Sequence, residues 1–200
     1  MEKPDTPADD PVELEGLLKF SAGIDRFLEI IARFAVWFGV IIVVTVVYDV
    51  ITRYFGVPRG FGVNATELQE SEYWIHTILF TFLIGYAYTR QSHVRIDLVR
   101  ERLPQKYKFL IEIIGCTLFV LPYCVIAGYY MTTYTYASFE SGEFSKSVIG
   151  LRNIWILKSF LVIMFVLLAL AGISQLIKSI YGFMGRLPDD LAKKTIGGDV

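Results

Sequence analysis

Residues 85–97 read GYAYTRQSHVRID, a stretch that leaves an apolar run at Arg90 and closes on His93-Val94-Arg95-Ile96-Asp97. From here to Lys108 the chain gathers Arg90, Arg95, Arg100, Arg102, Lys106 and Lys108, and no other connection is so positive. One apolar block precedes the stretch and another follows it. Basic connections between apolar blocks mark the cytoplasmic side of polytopic membrane proteins. The stretch therefore predicts a cytoplasmic hinge between two membrane helices.

Composition agrees with a bilayer as solvent. Of 200 residues 54% are hydrophobic and only 20% charged, with a mean hydropathy of +0.49. A soluble domain carries more charge than this. The apolar residues form blocks at 34–51, 73–89, 109–131 and 155–180. A helix needs about 20 residues to cross the hydrocarbon core, and the second block meets this only with snorkelling flanks. In lipid every backbone polar group must be paired within its own segment, so each block is predicted to be a helix. Tyr48, Tyr73, Trp74, Tyr86, Tyr88, Tyr129, Tyr130 and Trp155 stand at block ends, where interfacial aromatics belong. Pro122 predicts a kink in the third helix.

Working outward, residues 1–12 are acidic and proline-containing and predict a disordered tail. They lack a basic leader or small-residue cleavage pattern, so they do not read as a signal peptide. Residues 13–31 place Leu14, Leu17, Leu18, Phe20, Ile24, Phe27, Leu28 and Ile31 at helical spacing, with Lys19, Asp25, Arg26 and Glu29 between them. This predicts an amphipathic helix on the membrane surface ahead of the first crossing. The expected architecture is thus all-α and integral to the membrane, with four transmembrane helices in a single domain at 13–183. A short polar tail follows at 184–200. The Lys and Arg residues concentrate before the first block, between the second and third, and after the fourth, which places both termini in the cytoplasm. Cys116 and Cys124, about 12 Å apart along one helix, are too distant to form a disulfide.

Ionisable groups near the membrane are functional candidates because burying them is expensive. Asp49 and Arg53 share a helix face at i, i+4. They read either as a coupling-ion or proton site or, preferably, as an interfacial pair whose arginine snorkels. Glu112, four residues after Lys108, reads the same way. His76 falls near the outer end of the second helix, where a hydrogen bond to a neighbour is the better reading. The first outer connection carries Glu67, Glu70 and Glu72, with Asn64 or Thr66 placed to cap a helix. The chain has no HExxH, GxSxG, phosphate loop or CxxC pattern, so no catalytic, cofactor or metal residues are expected. A haem-binding bundle would want paired axial ligands, and only His76 lies within a helix. The net charge of −1 gives no footing for nucleic acid. The centres of the four blocks are uncharged, unlike a transporter that handles solute at mid-membrane. Small residues at Gly39, Gly115, Ala127, Gly128, Ala169 and Gly172 predict close helix packing.

Over residues 25–182 the chain resembles the small DctQ-like membrane subunit of tripartite ATP-independent periplasmic (TRAP) transporters. Arg53-Tyr54-Phe55 after the first helix, the acidic approach at Glu67, Glu70 and Glu72, and Gly150-Leu151 with Trp155 contribute to the likeness. Its strongest element is Gly85 followed by His93, Arg95 and Asp97, which resembles the family's His-x-Arg-x-Asp signature. The resemblance implies a non-enzymatic scaffold in a bacterial inner membrane that contacts lipid and packs against a larger permease subunit. That partner would take up an organic acid with sodium, delivered by a periplasmic binding protein. In this reading Gly85, His93, Arg95 and Asp97 serve structure or assembly. The alternatives are a self-contained four-helix exporter working through Asp49 and Glu112, or the membrane anchor of a redox enzyme.

Overall fold

The computed structural model describes residues 11–56, 62, 64–92, 103–147 and 150–196. Among these, every regular element is a helix: α1 (Pro11–Phe55), α2 (Ala65–Thr89), α3 (Gln105–Gly115), a π-helical segment (Cys116–Val120), α4 (Leu121–Glu140), α5 (Ile154–Phe183) and α6 (Asp189–Ile196). Gly16–Phe55, Gln105–Glu140 and Ile154–Phe183 are long and apolar enough to cross a membrane. Three of the four expected spans are therefore met by length and composition. The acidic first turns of α2 leave it a shorter apolar stretch than the roughly 20 residues a crossing requires.

The amphipathic segment and the first apolar block form one continuous helix of 45 residues, rather than a surface helix followed by a crossing. Residues 31–35 are Ile-Ala-Arg-Phe-Ala, with neither proline nor glycine to break the backbone ladder. Of the apolar stripe expected to lie on the membrane surface, Ile24 and Leu28 pack into the bundle, whereas Leu17, Phe20 and Phe27 remain exposed. Ser21, Ile24, Leu28, Ala32 and Ala35 recur at helical spacing and are all buried. At 1.5 Å per residue α1 is about 67 Å long, so it projects well beyond a hydrocarbon core of about 30 Å.

Helix α5 is the hub, packing against α1, α2, α3, α4 and α6. Helices α1 and α5 run antiparallel: Ser21 meets Ser174, and seven residues further on Leu28 lies with Leu167 in the core. That core combines Ile24 and Leu28 with Leu167 and Ala171, flanked by Phe82, Tyr86 and Leu170. A second apolar cluster joins Phe109 of α3 to Ala192 and Ile196 of α6. The segment expected to be a polar tail thus carries a helix docked on the bundle.

The third rod is interrupted where its sequence demands it. Pro122 has no backbone N–H, and in a regular helix its ring would meet the carbonyl of Leu118. The π-helical turn at Cys116–Val120 lies directly before α4, which has Pro122 in its first turn. The extra residue per turn widens the ladder ahead of the proline. Three helix ends close with the same pair of backbone bonds. At the end of α2, Gln91 N–H reaches Tyr88 O and Ser92 N–H reaches Ala87 O. Gly142 and Gly185 occupy the equivalent left-handed position after α4 and α5.

Candidate functional site

The polar side chains collect at the two ends of the bundle. At the end bearing the α1–α2 and α4–α5 connections, α2 begins at Asn64, whose backbone N–H donates to Glu67 Oε2 at 3.0 Å. Asn64 is therefore the capping position, and Glu67 stabilises the first turn. One turn on, Glu70 reaches out of α2 to the second loop. It accepts the Leu151 N–H at 2.6 Å and the Ser145 hydroxyl on its other oxygen. Gly150 fits beneath this carboxylate, because a methyl placed there would overlap it. Glu72 is half-buried on the same helix.

The loop after α4 holds a second cluster. Lys158, in the second turn of α5, is 8% exposed and donates to Glu143 Oε2. Its ammonium lies 3.7 Å from the centre of the Tyr134 ring, a cation–π contact. Ser138 donates to the same Glu143 oxygen at 2.6 Å. The hydrogen bonds from Lys158 and then Ser138 hold the Glu143 carboxyl below its ordinary 4.5. Near the end of α1, Arg53 reaches Asp49 Oδ2 at 2.5 Å, with Asp49 buried and Arg53 largely exposed. The two residues thus form an ion pair within one helix, one turn apart.

Toward the middle the contacts are apolar and close. Gly85 is buried between α1 and α5, where an added methyl would lie 2.9 Å from the Leu167 carbonyl oxygen and 3.0 Å from Leu28 Cδ2. A methyl on Gly172 would lie 3.2 Å from Val120 Cγ1, and one on Gly128 3.7 Å from Phe165 Cβ. Gly39 faces Leu79, whereas Gly115 has open space around its Cβ direction. Ala127 and Ala169 are half-buried. Gly182, which the small-residue expectation omitted, sits directly against the Phe109 ring.

The opposite end carries a buried polar network that sequence reading missed. The Ser21 and Ser174 hydroxyls are 2.9 Å apart, and Ser174 donates to Asp25 Oδ1 at 2.5 Å. Lys178, 7% exposed, donates to Asp25 Oδ2 at 2.7 Å. Beside it, the amides of Gln175 and Gln91 both donate to the Thr195 carbonyl, each at 2.8 Å. This ties α6 to α5 and to the end of α2. The sequence signal was present as the i, i+4 pairs Ser21/Asp25 and Ser174/Lys178, but only the approach of α1 to α5 gives it meaning. Glu112 is half-buried on α3. His93, Arg95 and Asp97 lie outside the described residues.

Among the described residues no three His, Cys, Asp or Glu side chains come together as metal ligands. The buried cations are neutralised within the chain, Lys158 by Glu143 and Lys178 by Asp25. The second pair joins two helices, and the first joins a helix to the loop before it.

The sequence pattern of the family described as tripartite ATP-independent periplasmic transporters, DctQ component, matches residues 42–182. The match runs from within α1 to the last turn of α5, leaving residues 11–41 of α1 and all of α6 outside it. No curated protein and no solved structure matches the chain.

Proposed function

Because this chain belongs to the family of DctQ components of tripartite ATP-independent periplasmic transporters, we propose that it is the small scaffold subunit of such a transporter. The family is one of transporter components, not of enzymes. In this reading the chain is a multi-pass protein of a bacterial inner membrane, and α2 makes a fourth crossing beside α1, the α3–α4 rod and α5. Both termini face the cytoplasm. The chain packs against a larger permease subunit that performs sodium-coupled uptake of an organic acid. A periplasmic binding protein delivers that solute.

The observation that best supports a scaffold role is where the ionisable groups lie. Lys158, Lys178, Glu70 and Asp25 are engaged with groups of this same chain at the bundle ends. Between them, Gly85, Gly172 and Gly128 bring helices into close contact. A protein that carries solute presents polar groups or broken helices near the midplane. The π-helical segment before Pro122 is the one interruption among the described spans, and proline accounts for it.

Affinity purification from native membranes in mild detergent tests the assignment. A stoichiometric, much larger polytopic permease is expected to accompany the chain. Recovery of a homo-oligomer alone, able to move solute into liposomes, would overturn it. Replacing His93 and Asp97 together by alanine is expected to impair assembly with that partner before substrate affinity changes. Asp49→Asn is expected to leave transport intact wherever assembly is intact, whereas an exporter working through Asp49 would stop.

A further inference from the structure

A run of α2 residues at 3-and-4 spacing, His76, Leu79, Phe80, Leu83, Ile84 and Ala87, lines an open groove of about 230 Å³. All six belong to α2, and one of them, Leu79, also meets Gly39 of α1. Eleven residues separate its ends, about 16 Å along the helix. That length is comparable with half of the roughly 30 Å hydrocarbon core, the depth reached by one acyl chain of one leaflet.

The chemistry changes at the lower end of the groove. The next position on the same face of α2 is Arg90, whose guanidinium lies over the Tyr86 ring and 3.6 Å from Glu29 of α1. Arg33 takes the other oxygen of that carboxylate at 2.7 Å. Among the described residues, this one carboxylate is paired with two guanidiniums, an excess of positive charge. Both bonded arginines remain accessible, with 78% of the Arg33 side chain and 49% of the Arg90 side chain exposed. On α1 the face that carries Glu29 and Arg33 continues as Val36, Val40 and Val43, all exposed.

An apolar channel one leaflet deep that ends in excess guanidinium charge is complementary to a single class of molecule. We propose that the α1–α2 seam is a binding site for an anionic phospholipid, with its phosphate on Arg33 and Arg90 and one acyl chain along the α2 groove. Ordinary annular lipid requires only an apolar surface. Here the guanidiniums select the headgroup, and the carboxylate between them orients both. The site depends on the chain lying in a bilayer and is independent of which transporter, if any, the chain joins.

The full-length chain reconstituted in phosphatidylcholine vesicles, with spin-labelled phosphatidylglycerol or phosphatidylcholine as probe, tests the site. Phosphatidylglycerol is expected to be immobilised preferentially, with Arg33→Gln and Arg90→Gln each weakening that preference about fivefold. Arg53→Gln, at the far end of α1, is expected to leave it unchanged. Ala87→Trp, which fills the groove beneath Arg90, is expected to abolish it. Equal immobilisation of the two lipids by the unaltered chain would overturn the proposal. In native membranes, a photoreactive residue at Leu83 is expected to form an adduct with phospholipid. An adduct with a second copy of the chain or with another membrane protein would show that the groove holds a helix instead.

Discussion

Gly85 packs against the backbone of Leu167, so closely that a methyl on Gly85 would come within 2.9 Å of the Leu167 carbonyl oxygen. Helix α5 cannot retreat by rotating a side chain, because the obstacle is main chain. Leu28 closes the other side at 3.0 Å. This single position therefore sets the separation of α1, α2 and α5.

Gly85→Ala is expected to destabilise the bundle by about 1–3 kcal/mol, the usual penalty for overpacking. Gly172→Ala should be milder, since its neighbours are side-chain atoms of Val120 and Leu121 at 3.2 Å and beyond rather than main chain. Thermal unfolding of both variants in the same detergent measures the order. If Gly172→Ala proved the more damaging, the Gly85 contact would not govern the packing.

Acid should loosen the loop between α4 and α5. The Lys158 and Ser138 hydrogen bonds hold the Glu143 carboxyl below its ordinary 4.5 in the folded protein. A depressed carboxylate contributes stability that is complete above its unfolded value and lost as pH falls through the folded one. The contribution is therefore complete at neutral pH, begins to fall below the ordinary 4.5 and is lost as pH drops through the lower folded value. Glu143→Gln should remove this part of the acid sensitivity, read as hydrogen exchange in residues 138–147 against pH. A variant with the same acid profile as the parent would exclude Glu143 as its source.

Long apolar blocks made the helices legible, because a bilayer demands runs of a definite length whatever packs beside them. The Asp49–Arg53 pair was equally accessible, since both residues lie on one helix. The network at Ser21, Asp25, Ser174 and Lys178 was hidden for the opposite reason. Its partners stand about 150 residues apart, and Lys178 by itself reads as one more basic residue near a helix end. The break expected between an amphipathic helix and the first crossing failed because amphipathicity reports which face is buried, not what buries it. The same stripe of Ile24 and Leu28 suits a membrane surface or helix α5. Likewise the polarity of residues 184–200 concealed Ala192 and Ile196, two apolar positions sufficient to dock one turn on Phe109.

Glu70 fixes the second loop from a distance of more than seventy residues. Glu70→Ala removes the acceptor of both Ser145 and Leu151, leaving a half-buried backbone donor to find water. Protease cleavage within residues 145–151 is expected to rise about tenfold, as for loss of a charge-assisted hydrogen bond. Glu67→Ala, which affects only the first turn of α2, should leave cleavage there unchanged. Equal rates in the two variants would mean that Glu70 does not hold the loop.

Gln91 occupies the left-handed region at φ 57°, a place where glycine usually terminates a helix. A residue with a Cβ is disfavoured there, yet its amide reaches the Thr195 carbonyl at 2.8 Å. The unfavourable backbone geometry is offset by a link between α2 and α6. Gln91→Gly should therefore preserve or improve the end of α2 while releasing α6, with amide exchange in residues 189–196 accelerating about tenfold. Gln175→Leu, which removes the second donor to the same carbonyl, should release α6 without altering the backbone of α2. Unchanged α6 exchange in the double variant would show that Phe109, Ala192 and Ile196 hold the helix by apolar contact alone.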